Sequence, residues 1–235
     1  MLISFSHHFI FIHVSKSAGT SIQHALQSYA HRPQQTPLNR LSGKMRIPRD
    51  PRQIAFPQHI TARSVEALLP EEVFIGFFKF AVVRNPWDWI VSLYHYLRET
   101  PSHRHHARVC GMSSLEEYIT FEAARKKRTQ HGFISGDDGR VLVDFVGRYE
   151  FLDEDFTRVC SFLGISATLP HLNATPRQDY REYFTPATIE LVEEFWQDDI
   201  RLFGYTFDAP PGKPPIDKTA EFLRAPENEA PAPGS

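Results

Sequence analysis

The run Ser15-Lys16-Ser17-Ala18-Gly19-Thr20-Ser21 puts one ammonium group, one glycine and four hydroxyls on consecutive residues. Those groups suit an anion: Lys16 supplies a point charge, the hydroxyls donate, and Gly19 lets the backbone approach closely. The apolar, β-prone stretch Phe9–Val14 precedes the run, and Ile22, Ala25 and Leu26 follow it at helical spacing, so it reads as the loop of a strand–loop–helix unit. Such a loop offers unpaired backbone N–H groups at the positive end of a helix dipole, where phosphate or sulfate binds. The nucleotide-kinase pattern GxxxxGK[ST] is not met, because Lys16 precedes Gly19 and no other glycine comes before it. Taken alone, the run is equally an ordinary polar connection capped by Ser or Thr.

A second unit begins at Phe77–Arg84 and turns at Asn85-Pro86, where proline suits the first helical position. Its helix then presents Ile90, Leu93, Tyr94 and Leu97 on one face, with Ser92 about two turns in. A guanidinium at a strand's C-terminal end and a hydroxyl on the next helix can both face the crevice where open α/β sheets bind ligands. Arg84 and Ser92 would suit another phosphate there; the alternative is a surface Arg and a solvent-facing Ser. Between the two units lies His59, a residue type able to take a hydroxyl proton near neutral pH, or else to cap the helix after Ile60.

Other groups carry less. His103, His105 and His106 read as a solvated loop, since no ligand spacing surrounds them, and Arg125-Lys126-Lys127-Arg128 as a basic helix end. Arg148 either reaches a phosphate or pairs with Glu150 or Asp153, and Trp87, Trp89 and Trp196 are either core or sugar-stacking residues.

The elements that must position these groups fit one α/β domain. The chain has 235 residues, 41% of them hydrophobic, enough for one substantial core. A net charge of -2 lacks the positive field of a nucleic-acid binder. Two cysteines are too few for a disulfide framework, and with no leader and no long apolar segment read in the sequence, the expectation is a cytoplasmic protein without a transmembrane segment. Further helices are predicted at Val65–Leu69, Leu115–Lys127, Glu154–Leu163 and Pro186–Phe203, the last capped by Gly204, with a loop over 31–58. From Asp208 the chain is rich in Pro, Gly, Ala and Glu and is expected to be a flexible tail over 208–235, leaving a domain over 1–207. Two strand–loop–helix units with helices between them predict a mostly parallel sheet covered on both faces.

The motifs also carry a resemblance. HVSKSAGTS resembles the 5′-phosphosulfate loop of sulfotransferases that use 3′-phosphoadenosine-5′-phosphosulfate (PAPS), and VVRNPWDWIVSLYHYL resembles their 3′-phosphate motif. The likeness continues through PQHITA, through DFVGRYEFLDEDFTRVCSFL and through LPHLNATPRQDYREYFTPATIELVEEFWQDDIRLFGYTF, so it covers nearly all of Phe9–Phe207. It is strongest to the carbohydrate group called sulfotransferase family 2, which includes bacterial members and the heparan 2-O-sulfotransferases. One departure is Ser15, where that group commonly has proline before the loop lysine.

The resemblance implies a P-loop-NTPase-like three-layer fold, a central mostly parallel sheet flanked by helices. It implies that Lys16, Ser17, Ala18, Gly19, Thr20 and Ser21 wrap the 5′-phosphosulfate, while Arg84, Ser92 and, from the late NATPR stretch, Arg177 hold the 3′-phosphate. His59 would act as general base and Lys16 would stabilise the departing phosphate, with PAPS as co-substrate, no metal, and a carbohydrate or other hydroxyl-bearing acceptor. A nucleotide-dependent small-molecule kinase and a non-catalytic nucleotide- or glycan-binding relative are the competing readings; the first would carry GxxxxGK[ST] and an acidic magnesium ligand.

Overall fold

The computed structural model describes residues 1–33, 50–125, 129–170 and 178–223. Among these described residues five strands lie in sequence order from edge to edge: β1 (Leu2–Ser4), β2 (Phe9–Ile12), β3 (Phe78–Val83), β4 (Phe145–Arg148) and β5 (Ile216–Asp217). The pairs β2–β3 and β3–β4 are parallel, whereas β1 and β5 close the two edges antiparallel. Every residue of the three central strands is buried, as a strand covered on both faces requires.

Side-chain alternation divides the core in two. Phe9, Phe11, Phe78, Phe80, Val82 and Phe145 pack on one face with Ile22, Leu26, Phe156 and Val159. Ile10, Ile12, Ala81, Val83 and Val146 pack on the other with Trp87, Ile90, Val192 and Phe203. The first face is covered by α1 (Gly19–Leu26) and by the helix Leu152–Leu163, the other chiefly by helices after β3, so the expected α/β, three-layer arrangement is present. After α1 the described helices are α2 (Ala62–Glu66), α3 (Glu71–Gly76), α4 (Pro86–Glu99), α5 (His106–Cys110), α6 (Leu115–Ala124), α7 (His131–Ile134), α8 (Leu152–Leu163), α9 (Pro186–Phe195), α10 (Gln197–Phe203) and α11 (Thr219–Phe222). None is long and apolar enough to cross a membrane.

Local signals set several boundaries. The Asn85 side chain accepts from the Trp87 N–H and Pro86 occupies the first turn of α4, while Gly204 ends α10 at φ 69°. Elsewhere the structure departs from expectation. The helix predicted over Pro186–Phe203 breaks at Trp196, whose buried ring meets that of Trp89 edge-on at 6.5 Å. The helix predicted at Val65–Leu69 starts at Ala62, because the Thr61 hydroxyl accepts from the Ser64 N–H. Part of the loop over 31–58, the end of the Leu115–Lys127 helix and the residues after Leu223 lie outside the described residues. The tail boundary at Asp208 also needs correction: Ile216 pairs with Val146, Arg158 pairs with Asp217, and the Phe222 ring meets Phe78 at 5.4 Å. The few apolar residues of that segment fall where an edge and a face of the sheet were open.

Candidate functional site

The chain leaves β2 at Ile12 and reaches α1 through a turn in which Lys16 (φ 63°) and Ala18 (φ 58°) are both left-handed. Non-glycine residues in that region cost about 1–3 kcal/mol each, so surrounding contacts must hold them. The Trp89 indole donates to the Ser15 carbonyl at 2.7 Å, and an Arg84 Nη1 donates to the Lys16 carbonyl at 3.4 Å. The Ser17 hydroxyl, 1% exposed, donates to Gln130 Oε1 at 3.3 Å. Ser17 is therefore spent on the fold, and its side chain does not line the cavity as the sequence suggested. Ala18 caps α1 without a side-chain oxygen, which leaves the first-turn N–H groups uncapped by that residue.

Gly19 is required for a reason that sequence did not reveal. A Cβ built there would lie 1.9 Å from the His13 imidazole, so the glycine makes room for a neighbouring ring. His13 is only 3% exposed, and burial, with His59 nearby, pushes its pKa down to about 3, so the ring is neutral at neutral pH.

Arg84 follows β3 directly and is nearly buried. Its Nε donates to Asp88 at 2.6 Å and its plane lies over the Tyr149 ring at 3.9 Å, which aims the guanidinium. Asp88 is one turn into α4, and Ser92 one turn further. The backbone of Asn85 donates to Glu150 at 2.7 Å, and the Tyr205 hydroxyl donates to the same carboxylate at 2.9 Å. Burial raises the Glu150 pKa, against the pull of these donors and of Arg84.

These elements end at one cavity of about 820 Å³, within the ordinary range for a small-molecule site. Lys16, Ala18, Gly19, Thr20 and Ser21 line one part, Arg84 and Ser92 another, and His59 a third. The Lys16 ammonium sits over the Tyr96 ring at 4.4 Å. His59 is exposed, and its Nδ1 lies 3.3 Å from the His13 carbonyl. A carbonyl only accepts, so this contact puts the proton of neutral His59 on Nδ1 and makes Nε2 the basic nitrogen. His59 does not cap the following helix, since Thr61 does that.

The remaining candidates separate. Arg148 is buried against Asp155 in a two-point pair, 2.9 Å from Nε and 2.8 Å from Nη2, so its partner is neither Glu150 nor Asp153 and it stays off the cavity wall. All three tryptophans are core. His103 and Arg125 line the cavity, contrary to a purely solvated role, while the His106 Nδ1 donates to the Leu97 carbonyl. No three His, Cys, Asp or Glu side chains among the described residues form a metal-holding group. Arg177 lies outside the described residues. Sequence reasoning missed the parts played by His13, Gln130, Trp89 and Glu150; His13, Trp89 and Glu150 stood inside quoted motifs, whereas Gln130 is joined to the site by long-range contacts alone.

Comparison with known proteins adds three findings. The profile described as "Sulfotransferase family" matches residues 1–206. An uncharacterized protein of Archaeoglobus fulgidus is 26% identical over 113 residues, covering 48% of this chain and 89% of that protein. The crystal structure of mouse sulfotransferase SULT7A1 complexed with PAP is similar over 85% of this chain and 86% of that chain, with 16% identity and a TM-score of 0.49.

Proposed function

The chain belongs to the sulfotransferase family, and from that premise we propose that it moves a sulfuryl group from PAPS to a hydroxyl of a carbohydrate or glycolipid acceptor in the cytoplasm. The observation that carries this reading is the single cavity onto which Lys16, Thr20, Ser21, Arg84, Ser92 and His59 all open. Two separate groups of anion-binding residues facing one space suit a donor charged at both ends.

In this reading the α1 N-terminus, with Lys16, Thr20 and Ser21, holds the 5′-phosphosulfate, and Arg84 with Ser92 holds the 3′-phosphate. The assignment of Arg177 to that second phosphate rests on its motif. Ser17 contributes its backbone rather than its hydroxyl. The acceptor oxygen attacks sulfur in line with the bond to the phosphate oxygen; as the new S–O bond forms, the old one breaks and its electron pair goes to that phosphate oxygen. The acceptor proton passes to His59 Nε2, and the Lys16 ammonium offsets the charge on the leaving group. The protein's part is positioning and charge stabilisation, as in phosphoryl transfer.

Calorimetric titration with 3′,5′-diphosphoadenosine and with 5′-AMP tests the donor site, and transfer of labelled sulfate tests the reaction. The expected result is tighter binding of the diphosphate, a preference that Arg84→Ala removes, and turnover that Lys16→Ala strongly depresses. Equal affinity for the two nucleotides in the parent protein would sink the proposal.

A further inference from the structure

We infer that His13 is a positioning residue whose ring and carbonyl lock His59 to the anion loop, making proton acceptor and sulfate cradle one rigid unit. The inference rests on the reading of His59 as proton acceptor. His13 touches both parts. Its imidazole fills the space beneath Gly19 at the start of α1, where any β-carbon would collide with it. The same ring meets the His59 ring edge-on, with centroids 4.5 Å apart, and the His13 carbonyl takes the His59 Nδ1–H. An edge contact on one side and a hydrogen bond on another restrict how the exposed His59 ring can turn.

The polar surroundings of His13 select its own state. Gln58 Nε2, which can only donate, lies 3.4 Å from His13 Nδ1 and also donates to Gln23 Oε1 at 3.2 Å. His13 thus accepts at Nδ1 and carries its proton on Nε2. Phe11 stacks on it at 5.9 Å. A purely apolar side chain could fill the same space, but it would leave the Gln58 amide without this acceptor immediately before His59. A neutral ring is also needed chemically, because a second cation beside His59 would weaken its basicity.

The test reads the tautomer directly. Nitrogen-15 NMR of the imidazoles, with neither donor nor acceptor present, is expected to show His59 as the Nδ1–H form in the parent protein. In His13→Ala, which keeps the carbonyl and removes the ring, the Nε2–H form should appear. Turnover should fall roughly ten- to a hundredfold, as small misplacements of a catalytic group do, with affinity for 3′,5′-diphosphoadenosine kept within about threefold. In a His59→Ala background the loss caused by His13→Ala should vanish, because residues acting through one another are not additive. A parent His59 protonated on Nε2, or an equal loss in both backgrounds, overturns the inference. The parent spectrum tests the tautomer even where His13→Ala does not fold. Failure of the sulfuryl-transfer reading shows up separately, as a parent protein that ignores 3′,5′-diphosphoadenosine.

Discussion

The Gln130 side chain brackets the backbone of Arg84: Oε1 accepts from the Arg84 N–H at 2.8 Å and Nε2 donates to the Arg84 carbonyl at 2.7 Å. A side-chain amide here does what a neighbouring strand would do, adding one rung beyond β3. Its Oε1 also takes the Ser17 hydroxyl, and its own N–H is held by Asp199, so one buried residue joins both anion motifs to α10.

Gln130→Met keeps the volume and removes these bonds, leaving buried Arg84 and Ser17 groups unmet at about 1–3 kcal/mol each. Urea denaturation should show a loss of about 3 kcal/mol or more, accompanied by weaker binding of 3′,5′-diphosphoadenosine. A variant as stable as its parent would show that the bracket contributes nothing.

Gly19→Ala should be destabilising by about 1–3 kcal/mol, the usual cost of overpacking, because the new methyl meets a buried imidazole rather than a mobile chain end. Adding His13→Ala opens that space, so thermal melting of the double variant should recover most of the stability lost to Gly19→Ala. Melting no better than that of the Gly19→Ala protein would refute the assigned clash.

Arg148→Met strands the buried Asp155 carboxylate, and breaking a buried pair in this way typically costs about 3–5 kcal/mol. If the folded variant is compared at low temperature, its affinity for 3′,5′-diphosphoadenosine should match the parent's. A large loss of affinity would return Arg148 to the donor site.

The Glu150 carboxyl titrates above its ordinary value of 4.5 in the folded protein, chiefly because it is buried. At pH below that value both folded and unfolded chains hold the proton and no penalty arises. As pH rises from there through the folded value, the unfolded chain ionises first and stability is lost. Glu150→Gln removes the ionisation while keeping an oxygen for the Asn85 N–H. Its melting temperature relative to the parent should therefore rise as pH increases above the ordinary value of 4.5; a difference independent of pH would contradict the assignment.

The legible parts of the site were those governed by neighbours in sequence. Lys16, Thr20 and Ser21 drew notice because a strand, a small polar loop and a helix start follow one another, and Arg84 and Ser92 because a strand ends at an Asn-Pro turn. In both units the spacing alone brings the groups to the strands' C-terminal ends, and the structure places them on one cavity. Ser17 was misread by the same logic, since its type matched but its direction depended on Gln130, 113 residues away.

The sequence by itself determined two strand–loop–helix units, the turn at Asn85-Pro86, the separate helix end at Gly204, and the residue types at the tips of the two units, because hydrogen bonds and backbone preferences within a few residues decide such features. Only the tertiary structure decided that Gln130 would bracket Arg84, that His13 would lie between Gly19 and His59, and that Ile216 would close an edge of the sheet. Those pairings depend on which strands become neighbours and which side chains fill the space between layers, and no local periodicity carries that information.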